Sequence, residues 1–474
     1  MDAVHHRTHA LVGDGITALA FLQGLTLDPG DELIVLGRSA SQLGRGIAYA
    51  AGTPGTPWQY AYLLNSPADD IDPAFARWLA DNWHEVEHKM AGRQPDWLGA
   101  ARTLVGQGDL YGLNAPREFY GDFMVEEMQA ALAKLRQRGV HVRVLDTLAT
   151  AIESSESAIV IETEDGRSLA VHSASVAPGG PSTQRIPGDD GPFAAPTLFG
   201  HEARIAEHIR AGAEIFCIGA NATMLDVLRL CQSLIDEDAL RFVACSPRGE
   251  LPPPLVPRLP RRLTVPKLTQ GHESARSFLD NVWQEIEAAR ERGEEMREIR
   301  AGFRAHFLAH PLSSYVTSLD EARKVPGTLR HWLRGGTRDT ILDFHRLMKL
   351  AKTRTHSGAV VEIEHLADGA RVVLHDRAGN TQEYRADFVV NCSGPGAGSS
   401  YDPLTEQMLA KGWIGKCAVT GGLEVGAGCA TREPRVRHLS PGTTVIGQEV
   451  MAMPLYDAHM LRNFAGLAQA SAVF

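Results

Sequence analysis

The sequence lacks paired cysteines. Its six cysteines lie far apart, and no two of them form a Cys-x-x-Cys pair: Cys217, Cys231, Cys245, Cys392, Cys417 and Cys429. This spacing argues against a disulfide scaffold and against a redox-active dithiol. No cluster of cysteine, histidine and carboxylate residues has the spacing of a metal site, so we expect no bound metal.

Long hydrophobic runs and a basic excess are also missing. No apolar run reaches about 18 residues, so we expect no transmembrane helix and no membrane partner. The formal net charge of -10 argues against a nucleic-acid partner. Residues 1–9 are not followed by an apolar signal region with a cleavage site, so we expect a cytoplasmic protein. A small-molecule substrate is expected, and homo-oligomerisation is left open.

A glycine-rich turn lies near the N-terminus. The apolar strand 9–12 runs into Gly13-Asp14-Gly15-Ile16-Thr17-Ala18, and a helix to Leu25 and a strand over 32–36 follow. This β-turn-α-β order is typical of a dinucleotide site. Gly13 permits the tight turn, Gly15 lets backbone approach a pyrophosphate, and Ala18 keeps the helix close to the sheet. The helix N-terminus supplies free N–H groups for the phosphates.

The carboxylate that normally binds the ribose hydroxyls is absent from its usual place. It would end the second strand, about 20 residues after the glycines. Gly37 stands there instead, followed by Arg38. Three interpretations stay open: another group holds the ribose, Arg38 packs on the adenine or binds a phosphate, or the site prefers a 2′-phosphate.

The chain repeats this plan in its second half. A strand over 214–218 precedes Gly219-Ala220-Asn221, a helix to about Leu234 and a strand over 240–245. In each half a β-meander and a return strand follow, and a helical region spans about 273–350. The doubled plan predicts an α/β fold with two dinucleotide-binding (Rossmann-like) domains, each with a β-meander, plus a helical segment. We assign 1–190 and 386–474 to an FAD-binding domain. Residues 200–385 form an NAD(P)-binding-like domain with the helical region, about 270–350, inserted.

Four further segments carry a family resemblance. They are Gly44-Arg45-Gly46-Ile47-Ala48-Tyr49, residues 63–68, residues 116–123 and Asn391-Cys392-Ser393-Gly394-Pro395. Together they resemble the FAD/NAD(P)-binding proteins related to bacterial YdhS. Segment 116–123 is also similar to one in flavin-dependent N-hydroxylating monooxygenases, which act on ornithine or lysine. The resemblance implies FAD as the cofactor of the first domain.

The resemblance also implies roles for single residues. Gly44 and Arg45 would lie near the FAD phosphates, Asn65 and Ser66 would reach the isoalloxazine edge, and Arg117 would order the loop over the flavin. Each has a plainer alternative: a surface salt bridge for Arg45, a simple turn for 65–67, and a solvated charge near a helix N-terminus for Arg117. In such flavoproteins a late strand often ends near the flavin in Gly-Asp. Gly447 and Gln448, after strand 444–446, are our candidates, and the alternative is an ordinary strand end.

The second turn is the less regular one. Gly219 is followed by Asn221 in place of a second glycine, and Asn tolerates left-handed backbone better than most residues. The next strand ends in Ser246-Pro247-Arg248 with no carboxylate. Ser246 and Arg248 suit a 2′-phosphate better than a ribose hydroxyl, which favours NADPH over NADH. The alternative is a domain kept for structure alone.

These observations predict an FAD-dependent oxidoreductase. The first hypothesis is an NADPH-dependent monooxygenase acting on a small amine or amino-acid-like substrate. It fits the absence of a nucleophile–base motif, since the cofactor carries the chemistry. The alternatives are a flavin dehydrogenase or oxidase without oxygen transfer, and a nucleotide-binding sensor or scaffold without turnover. No residue is assigned a catalytic role.

Overall fold

Two five-stranded sheets, one from each half of the chain, form the framework of the protein. The computed structural model describes residues 6–50, 55–110, 113–254, 263–333, 335–396 and 399–452. The strands are β1 (Thr8–Val12), β2 (Glu32–Gly37), β3 (His141–Asp146), β4 (Ala149–Ser154), β5 (Ile159–Thr163), β6 (Ser168–Val171), β7 (Ser173–Val176), β8 (Ala194–Ala195), β9 (Ile215–Ile218), β10 (Phe242–Ser246), β11 (Thr353–Ser357), β12 (Ala359–His365), β13 (Ala370–His375), β14 (Thr381–Ala386), β15 (Phe388–Asn391), β16 (Gly415–Lys416), β17 (Leu423–Val425), β18 (Val436–His438), β19 (Thr443–Ile446) and β20 (Glu449–Val450).

Helices connect and cover these sheets. They are α1 (Ile16–Gly24), α2 (Ala68–Ile71), α3 (Pro73–Asp81), α4 (Trp83–Met90), α5 (Pro95–Gly106), α6 (Arg117–Gln137), α7 (Glu202–Arg210), α8 (Ala222–Gln232), α9 (Ala275–Glu291), α10 (Met296–Ala309), α11 (Leu319–Ala322), α12 (Pro326–Leu333), α13 (Arg338–Lys349) and α14 (Pro403–Ala410). The predicted helical region 273–350 is therefore a series of helices, and Pro326 begins one of them, since its ring fits the first helical turn.

The first sheet has the strand order β18-β7-β1-β2-β3, and all its pairs are parallel. Apolar side chains fill β1 and β2, as expected for strands covered on both faces. Helices α1 and α6 pack against each other and against β1 and β3. The carboxyl ends of the strands form one edge, where the turn after β1 lies.

The second sheet repeats this arrangement in the order β11-β10-β9-β15-β8, again with parallel pairs. Three-stranded antiparallel meanders accompany the sheets, β4-β5-β6 in the first unit and β12-β13-β14 in the second. The predicted α/β class with a doubled plan is confirmed. Strand β15 belongs to the second sheet, although the predicted boundary at 386 assigned it to the first domain. A buried strand between β9 and β8 cannot be part of the other unit.

A four-stranded sheet, β16-β17-β19-β20, packs against the helical region. Val445 and Val450 share a buried apolar cluster with Phe278, Phe303 and Phe307 from helices α9 and α10. The late part of the chain thus contacts the helices inserted into the second unit.

Within the described residues, no helix is both long enough and apolar enough to cross a membrane. The same residues contain no group of three or more histidine, cysteine or carboxylate side chains arranged to hold a metal ion.

Candidate functional site

The first glycine turn follows β1 at the edge of the first sheet. Gly13 has a φ of 126°, and a Cβ there would collide with the carbonyl oxygen of Ala177. Only glycine fits this conformation and this contact. Gly15 precedes α1, whose N-terminus receives no hydrogen bond from a capping side chain. The first N–H groups of α1 therefore remain available to a ligand, and Ala18 is buried where α1 meets the sheet.

The predicted phosphate loop, residues 44–46, lies directly on this turn. The N–H groups of Gly44 and Gly46 donate to the carbonyl oxygen of Asp14 at 2.9 and 3.1 Å. A Cβ on Gly15 would lie 3.5 Å from the Cα of Gly46. Gly44 has a φ of 100° and packs against the backbone of α6. The structure thus brings Gly13, Gly15 and Gly44 together.

Arg45 fixes this loop to α6. Its side chain is buried, forms an ion pair with the carboxylate of Asp122, and donates to the carbonyl oxygen of Glu118 at 3.2 Å. Arg45 thus forms a salt bridge, as the alternative held, but its own side chain is buried and Asp122 is only partly exposed, so the bridge is not a surface one. Direct contact of Arg45 with a phosphate stays a prediction, and the structure engages its guanidinium elsewhere.

A carboxylate is present near the end of β2 after all, from Asp14 inside the glycine turn. Arg38 donates to it from its backbone N–H at 3.0 Å and from its guanidinium at 2.8 and 2.7 Å. Burial alone would raise the pKa of Asp14, but the hydrogen bonds and charge of Arg38 outweigh it and lower that pKa. A Cβ on Gly37 would lie 2.8 Å from the Cβ of Asp14, so the expected acid has no room there. Arg38 is thus engaged with Asp14 in the structure.

Arg117 lies where the two units meet. Its backbone N–H donates to the carbonyl oxygen of Tyr62 at 2.8 Å, and its Nε donates to that of Leu63 at 3.0 Å. Its guanidinium forms a 2.9 Å ion pair with Asp226 on α8, and both side chains are largely buried. The solvated charge considered for Arg117 is therefore wrong. Burial raises the pKa of the Asp226 carboxyl, and the charge of Arg117 beside it opposes that rise.

Asn65 contacts the second half of the chain as well. Its Oδ1 accepts a hydrogen bond from the hydroxyl of Thr337 at 3.2 Å, and Thr337 immediately precedes α13. The amide of Asn114 donates to the carbonyl oxygens of Leu64 and Asn65. Ser66 is buried beside them. The segment is therefore fixed from both units, and the plain turn considered as its alternative does not describe these contacts.

The second glycine turn differs from the first in one decisive respect. Gly219 has a φ of 102° and packs against Cys392, as Gly13 packs against Ala177. The side chain of Asn221, however, caps α8: its Oδ1 accepts from the N–H groups of Thr223 and Met224 at 2.9 and 3.3 Å. Its Nδ2 donates to the carbonyl oxygen of Cys392. Asn221 thus occupies N–H groups that a pyrophosphate would otherwise bind.

The turn that follows β10 is held by hydrogen bonds of the Ser246 hydroxyl. It accepts from the N–H of Glu250 at 3.2 Å and lies 3.3 Å from the carbonyl oxygen of the same residue. Ser246 is therefore part of the turn, while Arg248 is exposed beyond it. Binding of a 2′-phosphate by either residue stays a prediction.

Gly447 and Gln448 follow strand β19, and contact of either residue with a flavin stays a prediction. The late strand that pairs with β7 in the first sheet is β18, and the N–H of Leu439 after it donates to the carbonyl oxygen of Val176 at 3.0 Å. Gly447 follows β19 in the four-stranded sheet and donates to Val425, so Gly447 and Gln448 end a strand of a different sheet. Ser440, which the sequence analysis missed, donates to the carbonyl oxygen of Gly179 at 2.6 Å. Its position after a three-residue strand gave little local signal.

Comparison with known proteins agrees with this geometry. Residues 10–181 match the model of a FAD-NAD(P)-binding family. No curated protein matches the chain at a significant level.

Solved structures with the same fold cover almost the whole chain. The FAD-bound cadaverine monooxygenase of the desferrioxamine pathway from Erwinia amylovora is 13% identical, covers 98% of this chain and 94% of its own, and has a TM-score of 0.55. The ornithine N-hydroxylase of Kutzneria sp. 744, in a structure with reduced FAD, NADP⁺ and L-ornithine, is 15% identical over 98% and 97%, with a TM-score of 0.51. The ornithine hydroxylase of Pseudomonas aeruginosa is 15% identical over 98% of each chain, also with a TM-score of 0.51. At these identities the likeness shows the fold, which is that of two-unit FAD/NAD(P)-binding oxidoreductases.

Proposed function

We propose that this protein is an FAD-dependent oxidoreductase, and specifically an NADPH-dependent monooxygenase that acts on a small amine or amino-acid-like substrate. One observation carries the proposal. Gly13, Gly15 and Gly44 form a glycine cradle suited to a dinucleotide, and the two-unit fold that contains this cradle is shared, over nearly the full chain, with amine and ornithine hydroxylases. The proposal includes membership of the YdhS-related proteins and a cytoplasmic location. Homo-oligomerisation stays a prediction for light scattering to test.

The backbone of the first unit is suited to binding the pyrophosphate of FAD. Gly13 and Gly15 leave no side chain between the turn and a pyrophosphate, and the uncapped N-terminus of α1 offers N–H donors to it. Asp14 and Arg38 lie at the end of β2, where the ribose and adenine would bind. A carboxylate there accepts hydrogen bonds from ribose hydroxyls, and a guanidinium stacks on an adenine ring.

The residues between the units would position the substrate and keep water out. When bound, FAD and NADPH supply the electron transfer and the oxygen activation. Arg117 holds residues 62 and 63 from one side, while Thr337 holds Asn65 from the other. Tyr62 lies in the same region, and burial raises the pKa of its hydroxyl, so it stays protonated. These contacts would keep segment 62–65 ordered next to the proposed isoalloxazine edge.

One observation favours the second candidate, a flavin dehydrogenase or oxidase without oxygen transfer, in a form that uses no nicotinamide. The side chain of Asn221 satisfies the N–H groups of α8 that would bind the NADPH pyrophosphate. In that case the substrate itself would reduce the flavin. The absence of a Cys-x-x-Cys pair argues against a dithiol as reductant in either case.

Anaerobic titration of the purified protein with NADPH distinguishes these candidates. The monooxygenase predicts bleaching of the flavin absorbance by NADPH, recovery on admission of oxygen, and incorporation of labelled oxygen into an amine or amino acid from a screened set. Bleaching by a substrate but not by NADPH would favour the second candidate. A flavin that neither reductant bleaches would contradict both.

A further inference from the structure

A pocket of about 500 Å³ lies at the carboxyl end of β10 in the second unit. Four residues line it: Pro247, Arg248, Glu250 and Arg377. Three of them follow β10 directly, at the position where a Rossmann-like unit recognises the ribose of a nicotinamide dinucleotide. The fourth, Arg377, comes from the turn between β13 and β14, far along the chain.

The pairing of backbone segments explains how Arg377 reaches this position. The N–H of Gly358 donates to the carbonyl oxygen of Ser246 at 3.0 Å. Ala359, the next residue, pairs with His375 at the end of β13. The turn that follows His375 therefore lies beside the loop that follows Ser246.

Both segments are held by their own hydrogen bonds. In the turn, Asp376 accepts from the N–H groups of Ala378 and Asn380, each at 2.8 Å. In the loop, Ser246 accepts from the N–H of Glu250. The two arginines thus project from ordered backbone, which lowers the entropic cost of binding a ligand between them.

The arginines at this pocket differ from those on the neighbouring strands in how they are paired. Arg371 and Arg385, on the strands next to the turn, are paired with Glu364 and Asp368. Within the described residues, Arg248 and Arg377 form no ion pair, and both are exposed. Two exposed guanidinium groups at one pocket suit a phosphate monoester, which accepts several charge-assisted hydrogen bonds.

We propose that Arg377 completes, together with Arg248, a binding site for the 2′-phosphate of NADPH, so that the β-meander supplies a residue that determines cofactor specificity. This inference rests on the proposed function, in which NADPH is the reductant. Glu250 opposes the phosphate charge across the pocket and limits the affinity. The guanidinium groups of Arg248 and Arg377, which come from two different elements, therefore favour NADPH over NADH, because NADH lacks the 2′-phosphate.

Binding of small nucleotides tests the site without any turnover. Adenosine 2′,5′-bisphosphate and adenosine 5′-monophosphate are titrated calorimetrically into the purified protein and its variants. Loss of one charge-assisted contact in Arg377→Ala predicts about tenfold weaker binding of the bisphosphate, with binding of the monophosphate unchanged. Arg248→Ala has the same effect, Glu250→Gln strengthens binding of the bisphosphate, and Arg385→Ala, the matched control, changes neither.

The outcomes are separable. Equal binding of the bisphosphate by wild type and Arg377→Ala would overturn the role of Arg377, and so would an equal loss of both nucleotides. If inorganic phosphate bound to the pocket as tightly as the bisphosphate does, the pocket would be a general anion site, and the proposal would be overturned. Failure of NADPH to bleach the flavin, with binding still dependent on Arg377, would contradict the proposed function alone.

Discussion

At the scale of single residues, the glycine cradle explains why the proposed dinucleotide site after β1 is built mainly from backbone rather than from side chains. Gly13 and Gly37 are required by the space around them, since a Cβ on either would meet Ala177 or Asp14. Asp14 and Arg38 form an ion pair beside position 37, where the sequence lacks the expected acid. Asp14, which lies between the glycines, and Arg38, which follows β2, are thus joined by their side chains.

Replacement of Gly15 by alanine tests this cradle. The new Cβ would lie 3.5 Å from Gly46, an ordinary contact, so the fold should persist while the methyl group crowds a bound pyrophosphate. We expect Gly15→Ala to weaken FAD binding by about tenfold or more, a loss of about 1.4 kcal/mol, measured by flavin fluorescence on titration of the apoprotein. Gly99→Ala, where nothing lies within 4 Å of the added Cβ, is the control. Equal affinities in both variants would contradict the location of the cofactor.

His438 makes the first sheet sensitive to acid. Its Nε2 lies 3.0 Å from the hydroxyl of Thr405, and burial lowers its pKa to about 3. In the unfolded chain the imidazole takes up a proton below about pH 6.5, whereas the folded protein resists protonation until far lower pH. The unfolded state therefore gains protons first, and stability falls as the pH drops below 6.5.

The change is measurable by urea denaturation at several pH values. We expect the free energy of unfolding of the wild type to fall by about 2 kcal/mol more than that of His438→Gln between about pH 7 and pH 5. His375→Gln is the control, because His375 is exposed. Parallel curves for wild type and His438→Gln would show that the buried imidazole does not titrate as described.

At the scale of elements, the two glycine turns differ mainly in how their helices begin. Helix α1 has no side-chain cap, whereas α8 is capped by Asn221. Asn221→Gly should cost only a few tenths of a kcal/mol in stability, since glycine is itself tolerated at this position. It should also free two N–H groups for a pyrophosphate.

We therefore expect Asn221→Gly to bind NADP⁺ several-fold more tightly than the wild type in calorimetric titration. Asn221→Ala removes the same cap but keeps a Cβ and should lose about 1 kcal/mol of stability. Weaker binding by the glycine variant would instead show that the Asn221 side chain contacts the cofactor.

Much of this fold could be predicted from local pattern. The strands β1, β2, β9 and β10 and both meanders follow from short apolar runs and turn residues close together in the chain. Strand β18 could not be predicted in this way, because its three residues pair with β7, more than 250 residues earlier. The contacts of Arg45 with Asp122 and of Arg117 with Asp226 likewise join distant segments, as does the pocket lined by Arg248 and Arg377, and no local spacing encodes them.

At the scale of the whole molecule, the buried ion pair Arg117–Asp226 connects α6 of the first unit to α8 of the second. Removing either partner of such a pair leaves an uncompensated buried charge, at a cost of about 3 kcal/mol or more. We expect Arg117→Ala and Asp226→Ala each to show this loss, and the double variant to lose about 2 kcal/mol less than the sum. A double-mutant cycle of urea denaturation measures the coupling.

The exposed pair Arg290–Glu287 supplies the control cycle, since both side chains are more than half exposed. Its coupling should stay below about 1 kcal/mol. Additive losses at Arg117 and Asp226 would mean that the pair does not couple the two units.

The central claim is that the first unit holds FAD. The most direct measurement is the FAD content of the purified protein, by absorbance and by chromatography of the cofactor released on denaturation, after saturation with FAD and removal of the excess. We predict stoichiometric FAD in the wild type and in Gly99→Ala and a strongly reduced amount in Gly15→Ala. A colourless wild-type protein that retains no FAD after saturation would contradict the claim.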